Sequence, residues 1–195
     1  MRKYFIRGWI VVLLACIAII FPASGFCLEN EVDLWGSLRE GSSFVLLRHA
    51  LAPGTGDPDH FVLGNCMTQR NLSDAGREQA AAIGDQFRKN RIQQARVFSS
   101  QWCRCLETGD LLGLGPVEEL SLLNSFFQYY ERSGLQTRKL QEWLSRQNFK
   151  RPLVLITHQV NITSFTNFYP ASGELVFATM LESGEISFLG SIKTD

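Results

Sequence analysis

The sequence predicts an α/β fold, a single-domain three-layer sandwich with a mostly parallel central sheet and helices on both faces. Three observations carry this expectation. Phe44-Val45-Leu46-Leu47 and Leu153-Val154-Leu155-Ile156 are apolar at every position, which suits central strands covered on both sides. Between and after them, strand-like segments alternate with segments apolar at helical spacing. The length of 195 residues fits one ordinary domain.

Taken in order, the chain begins with Arg2, Lys3 and Arg7, followed by 13 consecutive apolar residues from Trp9 to Phe21 and then Pro22-Ala23-Ser24-Gly25. A basic start, a short apolar run and small residues after it read as a secretory signal peptide over residues 1–25. The run is short for a span, which needs about 20 residues. A soluble periplasmic or secreted product is therefore expected, with no stable membrane span after cleavage. The alternative is an uncleaved leader that anchors the domain; a lipoprotein processed at Cys16 is the weaker variant, since Ile17 to Phe21 would stay on the mature chain.

The folded domain is then residues 26–195. Val32, Leu34, Trp35 and Leu38 mark an amphipathic turn or two before the first strand at Phe44–Leu47. A Gly/Pro/Asp-rich loop follows through Pro53, Gly54, Gly56, Asp57 and Pro58, a composition common beside functional sites. Ser73 caps a helix with apolar positions at Ala80, Ile83 and Phe87. Ala95 to Ser99 reads as a strand, Trp102 to Leu112 as a helix stopped by Gly113 and Gly115, and Val117 to Leu120 as a further strand. Leu135, Leu140, Trp143 and Leu144 mark the next helix, Leu153–Ile156 the second strongly apolar strand, and Leu175–Leu181 with Ile186–Leu189 a terminal hairpin.

Charge narrows the partners. The chain has 19 basic and 19 acidic residues, and losing Arg2, Lys3 and Arg7 lowers the basic count to 16. A slightly acidic domain is a poor nucleic-acid binder. Cleavage leaves Cys27, Cys66, Cys103 and Cys105 in a compartment where disulfides persist. Cys103 and Cys105 are too close in sequence to bridge each other, so a bridge would join one of them to Cys66 or Cys27. Buried free thiols are the competing reading.

In open α/β sheets, sites form beyond the carboxyl ends of the strands. His49 and His158 both stand there, His49 preceded by Arg48, and Arg104 lies at the start of the helix after a third strand. Should these ends converge, two imidazoles and two guanidiniums share one pocket. The guanidinium fork matches phosphoryl oxygens. Neighbouring positive charge favours the unprotonated, nucleophilic imidazole.

Four ordered segments carry a resemblance: Leu46-Leu47-Arg48-His49-Ala50; Leu72-Ser73 with Gly76 and Gln79-Ala80; Ser99-Ser100 with Arg104 and Thr108; and Thr157-His158. Together they resemble the histidine phosphatase superfamily, in its small phosphoglycerate-mutase-like branch, over nearly the whole mature chain. The resemblance implies a phosphohistidine mechanism with no metal and no cofactor. In it His49 is the nucleophile, Arg48 and Arg104 bind the phosphoryl group, and His158 completes the pocket.

The sequence departs from that family where an acid is expected. Asn124 stands near the position of the mutase-branch Glu, and Gln159 stands where the acid-phosphatase branch has Asp after its second His. Both are taken as pocket residues, as is Arg70 at the rim. Asp57 and Asp59 are the candidate substitute proton donors, the alternatives being solvated loop carboxylates and a site with no acid, restricted to good leaving groups. His60 is read as a loop residue, and Phe126, Phe127, Tyr129 and Tyr130 as core and rim packing, with an apolar wall for a leaving group as the functional reading. The function expected is hydrolysis of a small-molecule or envelope phosphomonoester. A phosphate or phospholigand-binding protein with little turnover is the alternative.

Overall fold

A computed structural model describes residues 33–194; the expected leader and Cys27 lie outside them. The described elements are α1 (Leu34–Glu40), β1 (Phe44–Arg48), α2 (Asp74–Lys89), β2 (Arg96–Ser99), α3 (Cys103–Leu112), β3 (Val117–Glu119), α4 (Ser133–Leu144), β4 (Leu153–Thr157), α5 (Gln159–Thr166), β5 (Leu175–Met180) and β6 (Ile186–Ile192). The strands form one sheet in the order β3-β2-β4-β1-β5-β6. Pairings from β3 through β1 are parallel, and β5 pairs antiparallel with β1 and β6. This is the expected mostly parallel sheet, closed at one edge by the terminal hairpin.

The alternation of side chains along each strand builds the two covering layers. Val45 and Leu47 of β1 join Val154, Ile156 and Val97 beneath Leu38, Ile83, Phe87 and Leu112 of α1, α2 and α3. Phe44 and Leu46 point the other way, with Leu153, Leu155 and Phe98, onto Leu140, Leu144 and Ile162 of α4 and α5. An apolar residue at every strand position is thus accounted for: one half of the run faces each helix layer. Completely burying each such side chain contributes roughly 1.5–3 kcal/mol.

Local signals set the helix ends. Ser73 accepts the Gly76 N–H at 3.1 Å and starts α2. Gly113 takes the left-handed conformation, φ +62°, that ends α3. Gly76 is also needed for space, because a Cβ there would fall on the Leu51 carbonyl oxygen. That close approach presses α2 against the chain just after His49. Cys66 and Cys103 form a disulfide that fastens the long loop after β1 to the start of α3, while Cys105 is a buried free thiol. Of the two readings of the cysteines, a bridge from Cys66 holds for Cys103 and a buried thiol for Cys105. No helix among the described residues is long and apolar enough to cross a membrane.

Candidate active site

Sheet register alone brings three strand ends together. β1 and β4 are neighbours with Arg48 opposite Thr157, and the His49 N–H continues that ladder to the Thr157 carbonyl at 3.0 Å. His49 and His158 therefore leave adjacent parallel strands side by side, with ring centroids 5.5 Å apart. On the far side of β4, β2 pairs Ser99 with Ile156, and the Ser100 N–H bonds to the Ile156 carbonyl at 2.9 Å. Ser100 thus reaches His158, and the next turn carries Trp102 and Arg104 over both histidines.

The hydrogen bonds of each imidazole fix what it presents. His49 Nδ1 lies 2.8 Å from the Ala50 carbonyl oxygen. A carbonyl only accepts, so Nδ1 carries the hydrogen and Nε2 keeps its lone pair. Burial, then the charge of Arg104, hold the His49 pKa well below the ordinary imidazole range. It is a neutral base with one free nitrogen. His158 Nε2 lies 2.8 Å from Ser100 Oγ. Asn124 Oδ1 accepts from the Gln101 N–H at 2.9 Å and from Ser100 Oγ at 3.3 Å. Ser100 therefore donates to Asn124 and accepts from His158, which places the hydrogen on Nε2 of His158. Burial, then Arg104, keep this imidazole neutral as well.

Arginines supply the positive charge. Arg104, 3% exposed, and Arg48 both line the cleft with His49 and His158. Arg48 donates to the Pro170 carbonyl at 2.9 Å, and the Nε donors of Arg48 and Arg104 are buried with no protein partner. Buried N–H groups are rarely left unpaired, so each of these donors stands open to an acceptor the chain itself does not supply. Arg70 donates to the carbonyls of Gly56 and Ala52, and burial, then Arg104, lower its pKa to about 10. Asp57 meets this cluster directly. Its carboxylate takes both terminal nitrogens of Arg104, at 2.7 and 3.1 Å, with the Trp102 Nε1–H at 2.9 Å and the Arg70 backbone N–H at 3.1 Å. Burial alone would raise its pKa, but the bonds and charge of Arg104 and the bond from Trp102 outweigh burial and lower it.

The cleft has a volume of about 540 Å³, and its outer walls include Phe61, Trp102, Phe127, Tyr129 and Arg132. Phe61 stacks on Trp102 with centroids 5.0 Å apart, and the Trp102 ring meets His158 edge-on at 5.3 Å. The cleft wall thus combines cationic and polar side chains with aromatic ones, Trp102 touching both sets.

Arg48, His49, Arg104 and His158, expected together from sequence, share this cleft, and Arg70, Asp57, Asp59 and Gln159 line it too. Asp57 is ion-paired and Asp59 is exposed. Gln159 turns its amide to Thr163 Oγ1 at 2.8 Å. Asn124 is not on the cleft wall: its amide is spent on Gln101 and Ser100, behind His158. That is a correction to its expected place in the pocket, and the reason is that Asn124 directly follows the short helical turn Ser121–Leu123, where its side chain bonds to Ser100 and Gln101 just after β2. Of the aromatic series, Phe126 is core, whereas Phe127 and Tyr129 line the cleft. His60 is an exposed loop residue. Trp102 and Ser100 were not named as site residues from sequence, although Ser99-Ser100 belongs to a segment that carries the resemblance and Trp102 stands two positions before Arg104.

The family model of the histidine phosphatase superfamily (branch 1) matches residues 44–142. No curated protein matches the chain. Similar solved structures include the protein histidine phosphatase SixA complexed with tungstate, at 17% identity and TM-score 0.54, covering 77% of this chain and 96% of that one. A phosphoserine phosphatase from Entamoeba histolytica in complex with 3-phosphoglyceric acid has 13% identity and TM-score 0.56, covering 78% and 98%. A mycobacterial glucosyl-3-phosphoglycerate phosphatase has 15% identity and TM-score 0.52, covering 75% and 96%. At these identities the likeness is one of fold.

Proposed function

Because the chain belongs to the histidine phosphatase superfamily (branch 1), we propose that it is an exported phosphatase that hydrolyses a phosphomonoester through a phosphohistidine on His49, with no metal or other cofactor. The observation that carries this reading is the His49 imidazole itself. Its Nδ1–H is committed to the Ala50 carbonyl, its Nε2 lone pair is free, and it shares a cleft with Arg48, Arg70 and Arg104. A neutral nitrogen among fixed cations attacks phosphorus, while the guanidiniums take the charge of the phosphoryl oxygens. His158, held through Ser100, adds a nitrogen of settled tautomer beside the same centre. Water then attacks the phosphohistidine and releases inorganic phosphate.

The guanidiniums of Arg48, Arg70 and Arg104 supply what a metal ion supplies elsewhere, which supports metal independence. Export is supported by the basic and apolar start of the sequence and by the Cys66–Cys103 bridge, since disulfides persist in oxidising compartments. The substrate is a small-molecule or envelope phosphomonoester. N-terminal sequencing of the protein recovered from a periplasmic or culture fraction tests export; a retained leader would place the domain at the membrane instead.

The test of activity is hydrolysis of 4-nitrophenyl phosphate by the mature protein in the presence of a chelator, beside His49→Ala. Free phosphate from the parent alone supports the proposal. The second reading, a phosphate or phospholigand-binding protein with little turnover, rests on one observation: the Asn124 amide is committed behind His158, where it offers no acid to a leaving group. Stabilisation by phosphate without hydrolysis of any ester would favour it.

A further inference from the structure

The phosphatase reading leaves the proton on the leaving group unassigned, and resting on that reading we propose that Asp57 is first the occupant of the Arg104 fork that substrate must displace, and then the proton donor which that displacement creates. Two acceptors compete for one guanidinium. Asp57 holds both terminal nitrogens of Arg104, which is 3% exposed and lines the cleft with the two histidines. A phosphoryl group bound in the cleft needs the same bidentate face.

The loop is not free to leave with its carboxylate. Phe61 stacks on Trp102, and Cys66 is bridged to Cys103 beside Arg104. Displacement is therefore a rotation of the Asp57 side chain, and two neutral donors wait where it already sits: the Trp102 Nε1–H on Oδ2 and the Arg70 backbone N–H on Oδ1. Once the phosphoryl dianion takes Arg104, Asp57 loses its cation and faces a like charge. Both changes favour the protonated carboxyl, which takes its proton from solvent as substrate binds. The charged and titratable groups that line the cleft with it are Arg104 from α3, Arg70 and Asp59 from its own loop, Arg48 and His49 from the end of β1, His158 from the end of β4, and Tyr129 and Arg132 just before α4. Those two imidazoles are neutral, so Asp57 is the carboxyl whose proton affinity the substrate itself resets.

The steps balance. His49 Nε2 forms a bond to phosphorus as the bond from phosphorus to the ester oxygen breaks, and the Asp57 proton goes to that oxygen, giving the alcohol. Asp57 is left as the carboxylate. Water then attacks the phosphohistidine, its proton passes to Asp57, the bond from phosphorus to nitrogen breaks, and hydrogen phosphate leaves.

The experiment uses the mature protein, Asp57→Asn and Asp57→Glu. Inorganic phosphate binding is measured by calorimetry, and kcat/KM is measured for 4-nitrophenyl, phenyl and propyl phosphate, in order of worsening leaving group. Asp57→Asn is expected to bind phosphate about tenfold more tightly, because an amide competes less well than a carboxylate for Arg104. It is expected to lose about 10²–10³ in kcat/KM on phenyl and propyl phosphate, with a loss at least tenfold smaller on the 4-nitrophenyl ester. Asp57→Glu keeps the shallow dependence on leaving group. Equal losses on all three esters by Asp57→Asn, with weaker phosphate binding, would make Asp57 only a support for Arg104 and overturn the proposal. A parent that turns over all three esters while Asp57→Asn keeps its slope overturns the donor role alone. A parent that hydrolyses none of them overturns the donor role and the phosphatase reading together.

Discussion

His49 donates its Nδ1–H to the carbonyl oxygen of Ala50, the next residue in the chain, over 2.8 Å. The Ala50 N–H is in turn held by Thr108 Oγ1 at 3.1 Å, and Thr108 Oγ1 donates to the Arg104 carbonyl. One short path therefore ties the orientation of the proposed nucleophile to the helix that carries the proposed phosphate-binding arginine. Thr108→Val, which keeps the shape and removes the hydroxyl, is expected to lower kcat by about tenfold with a smaller change in KM. Of the two hydrogen bonds lost, the one from the Ala50 N–H bears on His49, and a buried bond of about 1–1.5 kcal/mol sets that factor. Steady-state kinetics on 4-nitrophenyl phosphate check it.

Arg104→Lys keeps a positive charge and loses the planar fork. Removing one group that stabilises transition-state charge costs about 10²–10³ in rate, and the lysine variant is expected at the lower end of that range because it cannot bind bidentately. Arg104→Ala also strands the Asp57 carboxylate, so it lowers the melting temperature as well as kcat/KM. Pairing it with Asp57→Asn should restore part of the melting temperature and none of the activity.

Stability should fall in acid, with a sign set by the histidines. His49 and His158 have folded pKa values held well below the ordinary 6.5, so below about pH 6.5 the unfolded chain binds protons that the folded one refuses. Stability is then flat above that pH and drops by about 1.4 kcal/mol per pH unit for each imidazole beneath it. The lowered Asp57 pKa acts in the same direction at lower pH, where its contribution is lost as pH falls through the folded value. Melting curves from pH 8 to 5 check this, and His49→Asn with His158→Asn should flatten the slope.

Reduction of the Cys66–Cys103 bridge opens a loop of sequence separation 37. The chain-entropy relation gives roughly 3–4 kcal/mol for that closure. Cys66→Ser with Cys103→Ser is expected to melt about 10 °C lower. It should also raise KM, because the freed loop carries Asp57 and Arg70. Cys105, whose thiol burial pushes up to about 12, should stay unreactive towards thiol reagents in the native protein.

Gly76→Ala tests the contact between α2 and the chain after His49. The added Cβ has no room beside the Leu51 carbonyl oxygen, and backbone must move to admit it. A loss of about 1–3 kcal/mol is expected, with a fall in kcat from the displaced His49, whereas an exposed position such as Ala81→Ser should change neither.

The sheet was legible because the first four residues of β1 and of β4 are all apolar, and only a strand covered on both faces needs that. The site was legible to the extent that it depends on strand ends: His49 and His158 follow the two most apolar strands, and parallel pairing places them together. What depended on three-dimensional neighbours was not legible. α5 was missed since Gln159–Thr166 is rich in Thr, Ser and Asn and has no side-chain cap; it forms because Ile162 packs on the sheet. Asn124 was noticed as a departure, but whether an amide faces a cleft or a neighbouring serine depends on how the turn Ser121–Leu123 sets it. Asp57 was noticed as a loop acid, while its bond to Arg104 crosses 47 residues of sequence.

The central claim is a covalent phosphoryl group on His49. The direct measurement is a rapid acid-free quench of the mature protein with ³²P-labelled 4-nitrophenyl phosphate, followed by alkaline digestion and peptide mapping beside His49→Ala. The account predicts base-stable, acid-labile label on the peptide that contains His49, formed as fast as turnover requires and absent from His49→Ala. Turnover by the parent with no labelled histidine, or undiminished turnover by His49→Ala, would contradict it.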